Sequence, residues 1–517
     1  MPAPSALDPI ALEVMAHAFA GIAEEMGALL VASAFSPNIR ERRDSSAALF
    51  DAHGVMIAQA AHIPVHLGAM PEAVATVRAL APEPGDTFIL NDPYTGGTHL
   101  PDITLVHAMA VDGTVGGYTV VRAHHSDVGG SRPGSMPPDS RSVFEEGIII
   151  PPVRWARHGA VDPGLERFVL ANVRTPVMRR GDLAAQLAAC DRGAERYRAL
   201  VAERGRAFVE AAGADLLDYA ERRTVAALRR AVPDGTYSAE DWLEGDGVED
   251  RDVALRVAVT VLAGRLHCDF RGTAGAVPGN LNCPISVTRS AVLFVVRCLA
   301  ADDDLPTNGG VQRVVSVEAP AGCLVNARWP SAVAAGNVET SQRIADLLFR
   351  ALEAADVPAQ GQGTMNNIVF GGDGWTYYET LGGGQGASAR GDGPSGVHVG
   401  MSNTRNTPIE AFELDHPMRI RTYVLRTGSG GAGKHRGGEG VVREYEALVP
   451  TDASVISERR RHAPRGAHGG ADGASGRNAV NGAPLGGRIV RALQPGDVLR
   501  VETPGGGGWG RDPDSPP

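Results

Sequence analysis

No run of about 18 uninterrupted apolar residues occurs in the 517-residue chain, so the sequence predicts no membrane span. Its first residues, Met-Pro-Ala-Pro-Ser, lack the basic start and short apolar core of a secretory signal. Cysteine is scarce: Cys190, Cys268, Cys283, Cys298 and Cys323 are odd in number, widely spaced and without a CxxC pair. That argues against a disulfide framework and a thiolate zinc site, and fits a reducing cytoplasm. Their apolar surroundings predict inert core thiols. Basic residues do not outnumber acidic ones, and a formal charge of −11 offers no basic face to nucleic acid or an anionic membrane. Neither a Gly-x-Ser-x-Gly elbow nor an active-site cysteine signature is present, which leaves covalent nucleophilic catalysis with little support. No internal repeat is visible.

What is present is an ordinary globular composition, 43% apolar and 21% charged, over a length that calls for two or three domains. Asp8-Pro9 reads as a cap and first-turn proline, and apolar residues at Met15, Phe19, Ile22, Met26, Leu29 and Leu30 predict a helix over 9–34. A hairpin is expected around Asp51-Ala-His-Gly54, a helix over 70–80, and strands over 87–90, 103–110 and 118–121. Two helices should follow, over 182–193 and 194–232. Pro233-Asp-Gly235 is a turn after which the period changes to two, at Val253, Leu255, Val257, Val259 and Val261. We therefore place a boundary there, with residues 1–232 as an N-terminal metal-site domain and 233–517 as a C-terminal α+β domain with a β-rich end. Glycine (65) concentrates in the second half, whereas proline (35) is spread along the chain. The fold class expected is mixed α+β and multi-domain, with a helix-rich, metal-binding N-terminal half and a Gly-rich, β-containing C-terminal half. The Gly505 to Gly508 run and Pro516-Pro517 read as flexible.

Two glycine loops imitate nucleotide sites. Gly428-Ser-Gly-Gly-Ala-Gly-Lys434 has the first seven positions of a phosphate loop, but His435 replaces the magnesium-holding hydroxyl and no helix can follow Arg436-Gly-Gly-Glu-Gly440. Gly382-Gly-Gly-Gln-Gly-Ala387 likewise lacks a helix after it, so turn formation is the better reading. Different chemistry is indicated by Asn91-Asp-Pro-Tyr-Thr-Gly-Gly-Thr-His-Leu-Pro-Asp102 and His124-His-Ser-Asp127, each at a predicted strand end. A lone His is more often structural than a ligand. Together, His99, Asp102 and His124 form a set that suits Zn, Mn or Fe(II), leaves coordination positions open, and can lower the pKa of bound water or polarise a carbonyl. Asp44, Asp92, His125 and Asp127 are the nearby candidates for a fourth ligand, an orienting partner or the general base. The Gly/Pro-rich stretch 129–139 is expected to close over this site.

With these motifs the sequence resembles the hydantoinase B/oxoprolinase family. The resemblance runs from Asp8-Pro9-Ile10 to about Arg443. It is carried by Asn38-Ile-Arg-Glu-Arg-Arg-Asp44, the 91–102 loop, His124-His-Ser-Asp-Val-Gly-Gly130, Pro133-Gly-Ser-Met-Pro137, Glu146-Gly147, Asn172-Val-Arg174, Gly181-Asp-Leu183, Asp269-Phe-Arg-Gly-Thr273, Gly336-Asn-Val-Glu-Thr340 and Ser429-Gly-Gly-Ala-Gly-Lys434. It implies a divalent metal held by Asp44, His99, Asp102 and His124, with Asp127, His125 and Asp92 left as catalytic candidates. It also implies a hetero-oligomer in which ATP-Mg is bound by a hydantoinase A-type partner subunit rather than by this chain. The activity implied is that of the B-type subunit of an ATP-dependent cyclic-amide hydrolase, opening a hydantoin, 5-oxoproline or similar lactam after phosphoryl activation. An acetone- or acetophenone-type carboxylase subunit acting on a ketone, and a non-catalytic scaffold for the ATPase, are the alternatives carried forward. A non-haem iron oxygenase suits the same ligand types but not the motif string.

Overall fold

The first helix begins where Asp8 accepts from the amide of Ile10 at 2.9 Å and Pro9 supplies the first turn. α1 (Pro9–Ser33) is long and apolar enough by composition to cross a membrane. In the computed structural model, which describes residues 7–61, 63–301 and 304–511, its Met15, Phe19, Ile22, Met26 and Leu30 are instead part of a protein core. The Met1–Ser5 start and the Pro516–Pro517 end lie outside the described residues.

α2 (Pro37–Arg40), β1 (Ser45–Asp51), β2 (Met56–Ala61), α3 (Met70–Ala79), β3 (Asp86–Leu90), β4 (Asp102–Val111), β5 (Thr114–His124), β6 (Val153–Arg157) and β7 (Ala160–Val161) follow in order. The strands make one antiparallel sheet in the order β2-β1-β5-β4-β3-β6-β7. After α4 (Pro163–Ala171) come α5 (Pro176–Arg204) and α6 (Arg206–Ala231). α1 and α5 cover one face of the sheet and α3 the other, so β1, β4 and β5 are buried along nearly their whole length. The helix break expected at 193/194 falls instead at Gly205, in the left-handed region at φ 87°. Gly193 lies inside α5, where a Cβ would come within 2.3 Å of the Met26 sulfur; it serves the close approach of α5 to α1.

The turn at Pro233-Asp-Gly235 separates α6 from β8 (Gly235–Glu244), β9 (Asp252–Leu262) and β10 (Arg265–Asp269). With α7 (Ile285–Ala300), α8 (Gly309–Gln312), β11 (Val315–Glu318) and α9 (Ser341–Ala351), these form a four-stranded sheet, β11-β10-β9-β8, backed by helices. Its apolar cluster also takes in Ile63, Val65, Leu67 and Met136 from the first half.

The last part contains β12 (Asn367–Gly372), β13 (Trp375–Thr380), the short α10 (Ile409–Asp415), β14 (Met418–Arg426), β15 (Gly440–Ala447), β16 (Thr451–Ile456), β17 (Arg477–Val480), β18 (Ala483–Leu485), β19 (Arg488–Leu493) and β20 (Val498–Glu502). They form two further sheets, β13-β12-β16-β19 and β14-β15-β20-β17-β18, sharing a core of Ile368, Phe370, Tyr377, Tyr445, Val455 and Leu499. The architecture is mixed α+β and multi-domain, as the sequence predicts.

Two expectations are corrected. All five cysteines are free, but Cys298 is exposed rather than buried in the core. Gly505 to Gly508, expected to be flexible, are buried. Their amides donate to the carbonyls of Ala474, Gly438, Gln360 and Ala471 at 2.8 to 3.1 Å. Each packs against neighbouring backbone so closely that a Cβ would come within 1.9 to 2.1 Å of a carbonyl oxygen. Here glycine gives close backbone packing instead of freedom. Gly506→Ala should therefore destabilise the chain by about 3 kcal/mol or more or abolish soluble expression. Gly21→Ala, in open space on α1, should stabilise by up to about 1 kcal/mol. Thermal and denaturant unfolding of the two variants checks this.

Candidate metal centre

Register brings the site together. In the β4–β5 pairing Asp102 lies directly opposite His124, and the neighbouring strand β1 starts one residue after Asp44, whose carbonyl accepts from the His124 amide at 3.0 Å. The loop before β4 turns back on itself, with the Asp102 amide donating to the His99 carbonyl at 3.0 Å. Asn91 braces this loop: its Nδ2 donates to Leu100 and Ile148, and its Oδ1 accepts from Ile150. Gly97 fits because a Cβ there would come within 2.4 Å of the Asn91 carbonyl.

The result is a triangle of lone-pair atoms. His99 Nε2, His124 Nδ1 and Asp102 Oδ1 are each 3.2 Å from the other two, and all three residues are buried. An edge of about 3.3 Å is what two ligands make around a tetrahedral cation at about 2.0 Å. Two imidazole nitrogens and a carboxylate fit Zn, Mn or Fe(II) chemically. They fit poorly as a hydrogen-bond network alone, because three mutual contacts compete for the few available protons. The cluster is the only such group of His, Cys, Asp or Glu found among the described residues.

Around the triangle the other contacts are directional. Asp102 Oδ2 accepts from Thr98 Oγ1 at 2.5 Å and faces His66 Nε2 at 3.5 Å, while His66 Nδ1 meets Ser46 Oγ at 2.9 Å. Burial alone would raise the Asp102 carboxyl, but the His99 charge and the bonds from the three histidines hold it well below the usual range. Burial works against charge on both imidazoles. It prevails at His124, whose pKa is lowered, whereas Asp102 and Asp44 hold His99 above its ordinary value. Tyr378 stacks on His124, with ring centroids 4.4 Å apart and planes 19° apart. The Tyr378 hydroxyl donates to Asn367 at 2.8 Å. The triangle, His66 and Tyr378 line a cavity of about 20 Å³ together with Asp44, Asn337, Thr380, Ser402, Thr404 and the apolar Ile63, Val65, Val338 and Met365. That is room for one water or one cation.

Of the residues singled out from sequence, His99, Asp102 and His124 converge. Asp44 borders the same cavity but is outside the set of donor atoms that lie within 4.8 Å of one another. The other three line no part of the cavity. Asp127 accepts from the amides of Gly129, Gly134 and Arg174 and from the Arg174 guanidinium. His125 faces Gln186 on α5 at 2.8 Å, and burial followed by the Arg179 charge pushes it down to about 4. Asp92 caps the turn at Tyr94. The stretch 129–139, expected as a cover, packs Pro133 and Gly134 against Gly371 and Val369 of β12. His66, Tyr378 and Asn337 were missed. His66 stands out in retrospect as the one titratable residue in the apolar Ile63-Pro-Val-His-Leu67 turn, whereas Tyr378 has no local signal.

A family model described as hydantoinase B/oxoprolinase matches residues 8–512. The chain belongs to this family. It is 37% identical to 5-oxoprolinase 1 of Arabidopsis thaliana over 97% of this chain but only 42% of that protein. It is 30% identical to the B-type chain of a putative D-/L-hydantoinase of Pseudomonas sp. (strain NS671), covering 98% and 90% of the two chains. The crystal structure of an ATP-dependent caprolactamase from Pseudomonas jessenii superposes with a TM-score of 0.91 at 29% identity, over 99% of this chain and 93% of that one. The chain thus spans about two fifths of the plant oxoprolinase and nearly all of the hydantoinase chain.

Two predictions arise here. Asp102→Asn or His99→Ala should abolish stoichiometric retention of a divalent metal through dialysis. A chelator should lower the melting temperature of the parent chain but not of either variant, as linkage requires; metal analysis and calorimetry check both. Separately, Glu146 is buried and accepts from Ser140 Oγ and the amides of Val333 and Ala334. Burial, only partly offset by those bonds, pushes it up to about 7. A raised carboxyl binds its proton more tightly in the folded chain, so its contribution is full below about 4.5 and is lost as pH rises to about 7. Glu146→Gln should remove up to about 3 kcal/mol of that decline, measured by denaturant unfolding across pH 4.5–7.5.

Proposed function

We propose that this chain is the metal-holding, B-type subunit of an ATP-dependent cyclic-amide hydrolase. The observation that carries the reading is the buried His99–Asp102–His124 triangle in a chain of this family. His99, Asp102 and His124 would hold a divalent cation, which would supply Lewis acidity there. The chain's own residues supply the orientation. Thr98 and His66 occupy Asp102 Oδ2, which would leave Oδ1 for the cation. His124 is held between Asp102 and the Tyr378 ring. Ile63, Val65, Val338 and Met365 limit access of bulk water, and Asp44 adds negative charge at the cavity edge. Asp127, His125 and Asp92 act in this account as positioning residues for the two strand ends rather than as the general base.

In the same reading, the nucleotide belongs to an A-type partner and the chain works in the cytoplasm. Three observations support a partner: the related Pseudomonas hydantoinase chain is named as one subunit of its enzyme, the plant oxoprolinase is more than twice the length matched, and the phosphate-loop imitation here is already filled. The Ser429 and Gly430 amides and the Ser429 hydroxyl all donate to the Glu439 carboxylate, at 2.6 to 3.1 Å.

Co-purified with its partner, the chain should open hydantoin, 5-oxoproline or a related lactam only with ATP and a divalent metal, and without bicarbonate. His99→Ala should reduce turnover about 100-fold or more with the complex intact. Ring opening by the isolated chain without ATP, or bicarbonate-dependent product from a ketone, would contradict the proposal. Full activity of His99→Ala would reduce the chain to a scaffold.

A further inference from the structure

The motif Gly336-Asn-Val-Glu-Thr340 takes no part in the metal triangle, yet its second residue borders it. Gly336–Thr340 is a single π turn leading into α9, the kind of widened turn that recurs at functional sites. Its neighbours clamp it. The Gly336 amide donates to the Asn280 carbonyl at 2.9 Å, and Thr340 Oγ1 donates to the Leu281 carbonyl at 2.6 Å. Glu339 Oε1 accepts from Asn367 Nδ2 at 2.8 Å and from the Met365 amide at 3.3 Å.

Two acceptors of the turn are buried without a partner, Glu339 Oε2 and Asn337 Oδ1, and of the two residues Asn337 borders the cavity. It lines the cavity with His99, Asp102 and His124, is 3% exposed, and its Oδ1 is buried without a hydrogen-bond partner. Leaving such an acceptor unpaired costs about 1–3 kcal/mol. Because Asn337, unlike Glu339, borders the cavity, that cost marks a place for a ligand's donor.

We infer that Asn337 reads the scissile amide of a secondary cyclic amide, Oδ1 accepting from the ring N–H while Nδ2 donates to the ring carbonyl. This deepens the cyclic-amide reading above and rests on it. A small ring holds its amide cis, so N–H and C=O lie on one edge and match the donor and acceptor of a carboxamide side chain. Open-chain secondary amides are trans and present the two groups on opposite edges. An N-alkylated lactam would turn a methyl group toward Oδ1, and a ketone would leave Oδ1 unpaired. A site built to bond an N–H discriminates steeply against analogues that lack it. The cavity in its present form admits a cation and no ring, so ring entry requires the apolar wall at Ile63, Val65 and Met365 to move.

The test titrates the metal-loaded, partner-bound complex with hydantoin, 5-oxoproline and 2-piperidone, with their counterparts methylated on the scissile amide nitrogen, and with cyclohexanone. The parent should bind at least one secondary cyclic amide about 100-fold more tightly than its N-methyl form or the ketone. Asn337→Leu should bring these affinities within about threefold of each other, with metal content unchanged. Asn337→Asp, which keeps the shape and an acceptor but loses the donor, should weaken cyclic-amide binding about tenfold or more, again without change in metal. Persistence of the preference in both variants, or loss of metal in Asn337→Leu with tighter metal in Asn337→Asp, would overturn the assignment and leave the cyclic-amide reading standing. If the parent binds cyclohexanone and no cyclic amide, both fall together.

Discussion

The antiparallel pairing that sets Asp102 opposite His124 is the constraint on which the centre depends. Side chains alternate faces along a strand, so a slip of one residue between β4 and β5 would send one ligand to the α5 side and the other to the α3 side. Register is held from both faces: Val121 and Ile103 are buried toward α1 and α5, Val120 and Val106 toward α3. Arg122, fully buried on β5, adds a polar lock by donating to Thr104 Oγ1 on β4 and to the Gly96 carbonyl in the loop before it.

The centre also depends on the chain's second half. Arg42, fully buried within the Asn38–Asp44 motif, donates to the Tyr378 carbonyl at 2.7 Å and to Thr380 Oγ1 at 2.9 Å. Those bonds join the first sheet to β13 and keep the Tyr378 ring against His124. On the other side, Glu146 accepts from the amides of Val333 and Ala334, just ahead of the turn that carries Asn337. The first half therefore supplies the side chains of the candidate metal centre, and the second half supplies much of the wall. Burying this many charged groups is costly unless each has a partner, which accounts for the dense bonding around the cavity.

Much of this was legible in the sequence, and the part that was not has a common cause. The cap and stripe of α1, the hairpin, α3, β4, β5 and the period change after Pro233 are local patterns. The His99–Asp102–His124 grouping was legible because both motifs sit at strand ends. His66, Tyr378 and Asn337 reach the cavity through contacts distant in sequence. Asp127 and His125 were misleading for the reverse reason: adjacency in sequence to His124 put them near the site on paper, while strand alternation and the following turn direct them to Arg174 and Gln186. Gly505 to Gly508 show the limit of reading composition, since four glycines signal freedom only when nothing packs against them. The break placed near 233 falls in a real turn, although one apolar cluster contains residues from both sides of it.

We propose that one divalent cation is bound by the His99 and His124 imidazoles and the Asp102 carboxylate at this sheet end. X-ray absorption spectroscopy of the purified, metal-loaded protein tests it most directly. A first shell of nitrogen and oxygen is expected at about 2.0–2.2 Å, with outer-shell scattering from two imidazoles that falls to one in His124→Ala. A sulfur shell, or a spectrum without imidazole scattering, would contradict it.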